Sequence, residues 1–180
     1  DHIKFDMKNS VKIVIDYLTK LGHKKIGLLG GRNQIVRNLV DFREQYFIEI
    51  MKEYELYDEK FVKVEEFSAE SGYKMMREML KSKEWPTAVF CANDSIAMGA
   101  YKAVRERKLK IFDDISIIGF NDLKISQYMN PPLTTLRIDT KIIAEETINV
   151  LVELIEHNRS YKKKVYLPVE LIERESCGSI

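Results

Sequence analysis

Two short apolar runs, Ala88–Cys91 and Ile115–Ile118, flank a stretch of helical periodicity, and few folds accommodate that order. Each run has the length of a buried strand. Between them Ile96, Ala100, Ala103 and Val104 recur at helical spacing. Arg105, Arg107, Lys108 and Lys110 follow, cations suited to the negative end of a helix dipole. Strand, helix and strand in this order form a βαβ unit, which calls for a parallel sheet covered on both faces. Ligands of such sheets sit beyond the carboxyl ends of the strands. Asn93 and Asn121 both stand at such ends. Asp94, with Ser95, is expected to cap the intervening helix.

The same alternation extends on both sides. A helix over residues 6 to 21 carries Val11, Val14, Ile15 and Leu18 on one stripe, and Ile26–Leu29 follows as a buried strand. Gly30-Gly31 then allows a sharp turn or a close approach, without the spacing of a phosphate loop. A helix from about Val36 to Tyr54 is striped by Leu39, Phe42, Tyr46, Phe47 and Ile50, and Arg43 falls near the middle of that stripe. A guanidinium there needs a partner. It either forms an ion pair with Asp41 or Glu44, snorkels past the apolar face, or offers its fork to a ligand. A strand over Phe61–Phe67 and a helix over Ala69–Leu80 come next, with Met75, Met76 and Met79 as core filler or subunit contact. Beyond the central unit, Leu133–Arg137 reads as a strand. Residues 140 to 157 make the strongest helix, striped by Ala144, Ile148, Leu151 and Ile155. Val165 to Leu171 alternates as a last strand, placed at an edge by Pro168.

Composition excludes several classes. Hydrophobic residues are 45% and charged residues 32% of 180, with a net charge of +1, which gives no global electrostatic case for a nucleic-acid surface. No apolar run approaches the roughly 18 residues of a membrane span. Asp1-His2-Ile3 reads as a cut end, and no signal-peptide pattern opens the chain. Cys91 and Cys177 lack metal or redox spacing, so a reducing, cytoplasmic setting is expected. His2, His23 and His157 do not pair at ligand spacing, and Ser95 lacks the elbow of a nucleophile. Hydrogen-bonding groups at strand ends without acid/base machinery indicate a binding protein, not an enzyme, with no cofactor or metal.

Three segments in series carry a family likeness: Ala92-Asn93-Asp94 through Met98-Gly99, Asp114–Asp122 reading DISIIGFND, and Pro131-Pro132-Leu133-Thr134-Thr135 with Arg137. With Leu21–Ile26 and Gly30-Gly31 they closely resemble the lactose/galactose repressor family of bacterial transcription regulators. Asp41-Phe42-Arg43-Glu44 followed by Phe47 looks most like its β-galactoside-sensing branch. The resemblance implies a doubly wound, periplasmic-binding-protein-like α/β fold. It implies mainly the C-terminal lobe of a two-lobed effector domain, residues 5 to 138 and 165 to 180, with the helix at 139–164 resembling part of the N-terminal lobe. The DNA-binding headpiece is absent from these residues. Arg43 and Asn93 match ligand-contacting residues, Phe67 a stacking aromatic, and Asn121 a position where many members carry aspartate.

The implied partners are a sugar effector, operator DNA through the headpiece, and a second copy of the chain. The implied dimer contacts fall on Met75, Met79, Met98 and Tyr128, of which Met75, Met79 and Tyr128 are expected to be partly exposed in a monomer. The implied function is sugar-responsive repression. The alternatives are a purine co-repressor in place of the sugar, a sugar- or nucleoside-binding transport protein of the same fold, and an α/β enzyme with its reactive groups on the missing lobe.

Overall fold

The computed structural model describes residues 1–32, 41–157 and 161–180. Its main sheet contains β2 (Ile26–Arg32), β3 (Val62–Glu66), β4 (Ala88–Cys91), β5 (Ser116–Asn121), β6 (Thr134–Arg137) and β8 (Glu170–Ile172). The order is β3-β2-β4-β5-β6-β8, parallel throughout except for β8, which runs antiparallel to β6. Helices α1 (Met7–Lys20) and α2 (Phe42–Glu53) cover one face, and α3 (Ala69–Met79) and α4 (Asp94–Glu106) the other.

Strand alternation sorts the core into two layers. In β4, Phe90 joins Phe47, Ile50 and Met51 of α2 and Val11, Val14, Ile15 and Leu18 of α1. Its neighbours Val89 and Cys91 point the other way, to Met75, Met76 and Met79 of α3 and Ile96, Ala100 and Val104 of α4. Phe90 also links Phe47 and Phe120, at ring separations of 6.4 and 6.5 Å. This doubly covered parallel sheet matches the fold class read from the sequence.

Several local expectations need correction. The alternating run at 165–171 is two strands, not one. β7 (Lys164–Leu167) pairs in parallel with β1 (His2–Phe5) in a separate two-stranded sheet, and β8 joins the main sheet. Pro168 marks the change of sheet, because proline cannot supply a ladder donor. Gly30 and Gly31 lie inside β2, so of their two expected roles the sharp turn is not found and the close approach is. Of the α2 stripe, Phe47 and Ile50 are buried but Phe42 is exposed and stacks on Tyr46 at 6.1 Å; Leu39 lies outside the described residues. Met75 and Met79 are 2% and 3% exposed, so their expected partial exposure is wrong: they fill the layer between α3, α4 and the sheet.

The two-stranded sheet is accompanied by α5 (Thr140–His157). Val150 is buried there, but Ile148, Leu151 and Ile155 of the expected stripe are exposed. No helix among the described residues is long and apolar enough to cross a membrane.

Candidate functional site

The carboxyl ends of β2, β4 and β5 and the loop after β3 meet the start of α2. Asp41 is the N-cap of α2; its carboxylate accepts from Arg43 N at 2.8 Å. The same carboxylate accepts from Arg43 Nε and Nη2, both at 2.7 Å. One side chain therefore both starts the helix and grips the guanidinium. Of the two ion-pair partners considered from sequence, Asp41 is the one used; Glu44 instead accepts from Arg32 at 3.2 Å.

The rest of the guanidinium is equally constrained. Nη1 donates to the Ala92 carbonyl. The guanidinium carbon lies 4.9 Å from the Phe67 ring centroid and 5.2 Å from that of Phe120, within cation–π range. A guanidinium has five N–H donors; three are spent on Asp41 and Ala92, leaving two without a partner among the described residues. Because Asp41 neutralises the charge, those two donors suit hydroxyl or carbonyl oxygens better than an anion.

Of the four residues selected from sequence, Arg43 and Phe67 are in direct contact, and Asn93 and Asn121 each follow a residue that Arg43 touches, Ala92 and Phe120. Phe67 is half-buried against Gly31, where a Cβ would lie 2.2 Å from the ring; close approach is the reason for that glycine. Phe120 was not selected. Its place in the IIGF run marks it as core, and only the structure shows that its ring also supports Arg43.

A family model described as "periplasmic binding protein-like domain" matches residues 15–177. The chain belongs to that family. The HTH-type transcriptional regulator GanR of Bacillus subtilis (strain 168) is 32% identical over 184 residues, covering 99% of this chain and 56% of that protein. The HTH-type transcriptional repressor PurR of Haemophilus influenzae (strain PittEE) is 36% identical over 169 residues, covering 91% of this chain and 49% of its own length. The chain therefore spans about half the length of the curated relatives it matches. Among solved structures, the lac repressor dimer bound to operator and the anti-inducer ONPF superposes with a TM-score of 0.87 at 28% identity, over 98% of this chain and 60% of that one. Within the periplasmic binding protein-like family, this is an effector-binding domain of the lactose/galactose repressor type. The relatives do not single out its β-galactoside-sensing branch.

In this member, Asn93 and not Asp94 is the N-cap of α4: Asn93 Oδ1 accepts from Ile96 N at 2.8 Å. The cap ties up the carbonyl of Asn93, so the amide NH₂ is the end suited to face a ligand. Asp94 is instead fully buried. Sequence position alone cannot separate two adjacent cap-forming residues; the distinction lies in the hydroxyls that β6 and the turn after β5 bring to Asp94. Burial raises the Asp94 carboxyl above its ordinary value, against hydrogen bonds from Thr135, Leu123 and Ser126.

Asn121 ends β5 with φ at 108°, and Asp122 follows at 52°. Asn and Asp enter that region more readily than other side-chain-bearing residues. Asp122 then accepts from Arg137 Nε and from Arg174 Nη2, each at 2.7 Å. Burial raises its carboxyl, but Arg174 and Arg137 outweigh that and hold it below the ordinary range. Arg174 was not picked out from sequence, because nothing in its local pattern indicates a partner 52 residues away.

Of the four residues assigned to a dimer contact, Met98 and Tyr128 are exposed, at 39% and 75%. They share a groove of about 540 Å³ with Lys102, Arg105 and Met129. Met75 and Met79 do not line it and lie in the core.

Proposed function

We propose that this chain is the ligand-sensing and dimerising part of a sugar-responsive DNA-binding transcriptional regulator, acting as a repressor. Its effector is a neutral hydroxylated molecule, a galactoside or related sugar. The observation that carries this reading is the charge-neutral Arg43–Asp41 pair lying over Phe67 and Phe120 and bonded to Ala92, with Asn93 and Asn121 next in the chain to Ala92 and Phe120. Two guanidinium donors without a partner among the described residues, two amide side chains and an aromatic floor match the hydroxyls and apolar face of a pyranose.

The rim is half of a jaw. The opposite half belongs to a second lobe that β1, α5 and β7 begin, and the main sheet is the C-terminal lobe. Subunits meet through the Met98–Tyr128 groove, and operator DNA is read by a headpiece outside these residues. Effector binding alters DNA affinity through different contacts in two states.

The test is calorimetry on the full-length protein against a panel of mono- and disaccharides that includes β-galactosides. Arg43→Ala is expected to cost about 2–4 kcal/mol, roughly 30- to 1000-fold in affinity, as charge-assisted hydrogen bonds are lost. Far-ultraviolet circular dichroism is expected to stay unchanged. Unaltered affinity removes Arg43 from the site, and no binding across the panel removes sugars.

A further inference from the structure

Asp94 has more partners than a helix start requires. Its Oδ2 accepts from Leu123 N at 2.6 Å and from Ser126 Oγ at 2.8 Å, and its Oδ1 accepts from Thr135 Oγ1 at 2.6 Å. The side chain is fully buried, and Ser126 and Thr135 are buried with it. Gly119 is matched to this arrangement: a Cβ there would lie 2.2 Å from Asp94 Oδ1. The carboxylate thus joins α4, the end of β5, the turn Lys124–Tyr128 and β6 at one point.

Two surfaces meet at that point. On one side Asn93 is the adjacent residue, and Asn121 lies just before the Leu123 amide that Asp94 holds. On the other side, Ser126 belongs to the turn that ends at exposed Tyr128. Leu133 N donates to Ser126 O at 2.9 Å, closing the segment between them. Within that segment, the Asn130 carbonyl accepts from Arg105 at 2.6 Å and the Pro131 carbonyl from Tyr101 at 3.1 Å, both on α4. The helix that carries Asn93 therefore also carries the segment beside the Met98–Tyr128 groove.

We propose that Asp94 is a positioning residue that couples the ligand rim at Asn93 and Asn121 to the subunit-contact face at Tyr128. The roles given to the two surfaces rest on the function proposed above; the mechanical link between them does not. A shift at the rim moves the start of α4 and the end of β5. Buried, fully bonded Asp94 cannot follow one and release the other without leaving a hydroxyl or amide unpaired, so the turn moves with them.

The test is amide hydrogen exchange on the full-length protein without any ligand, so it is independent of the sugar assay. Asp94→Asn and, separately, Ser126→Ala are compared with the parent. Each is expected to speed exchange by about tenfold or more both at 120–123 and at Leu133, whose amide donates to Ser126 O and closes the segment, with the core amides of β2 and β4 unchanged within about twofold. Ser126→Ala keeps the test decisive if Asp94→Asn does not fold. Faster exchange confined to 123–126, or spread evenly over β2 and β4, overturns the proposal: the first means no link, the second a general loss of stability.

Discussion

Helices α3 and α5 are both amphipathic, yet one is buried and the other bare. In α3, Met75, Met76 and Met79 are at most 3% exposed. In α5, Ile148, Leu151 and Ile155 are 61%, 56% and 74% exposed. Both stripes are legible in sequence by the same rule. The difference lies in what each stripe meets: α3 lies on a sheet and against α4, whereas α5, among the described residues, has its main contact with β1 of the two-stranded ladder. Periodicity reports that a helix has a face to bury; it does not report the partner. The expectation that Met75 and Met79 would be partly exposed in a monomer failed for this reason.

The contrast is tested most severely by charge. Met75→Glu places an unpaired carboxylate in the α3–α4 layer, and is expected to remove about 3–5 kcal/mol of stability in urea unfolding. Tyr128→Glu, on the exposed face, is expected to change stability by less than about 0.5 kcal/mol and to shift the full-length protein toward monomer in sedimentation. If Met75→Glu kept its stability and dissociated subunits instead, Met75 would belong to the interface and not to the core.

Much of the fold was legible because its signals are local. Apolar runs gave β2, β4 and β5, and helical spacing gave α1, α3, α4 and α5. Arg43 stood out because a cation on an apolar stripe must be answered by something, and Asp41, two residues before it, answers it. What escaped depends on distant pairings. Pro168 divides an alternating run between two sheets, which needs knowledge of both partners. Asp94 and Asn93 exchange roles because Thr135 and Ser126 arrive from 41 and 32 residues away.

A smaller effect separates the ion pairs of the two regions. Asp122, in the main body, has a side chain only 8% exposed between Arg137 and Arg174. Arg174→Leu removes one partner and is expected to cost about 2 kcal/mol. The pH dependence has a definite sign. Because the folded carboxyl titrates below its ordinary value, its stabilisation is complete above about pH 4 and is lost as pH falls through the lower folded value. Arg174→Leu is expected to weaken that acid sensitivity in thermal melts between neutral pH and pH 3. The pair Lys141–Glu145 on α5 is mostly exposed, and Lys141→Ala is expected to change stability by less than about 0.5 kcal/mol. Equal costs for the two variants would erase the distinction between the regions.

The smallest expected effect in this chain is the most informative about what α5 is for. Leu151→Gln with Ile155→Gln replaces two exposed apolar side chains, and exposed positions contribute little to folding. The double variant of residues 1–180 is expected to stay within about 0.5 kcal/mol of the parent in urea unfolding. In the full-length protein, the proposed second lobe covers this face. Each side chain then withdraws apolar area from water at about 25 cal/mol per Å², so the same pair is expected to cost roughly 3 kcal/mol or more. The gap between the two measurements gives the burial supplied by the rest of the protein. A negligible cost in both settings would leave α5 bare in the full-length protein as well, and the second lobe would have to be built on some other surface.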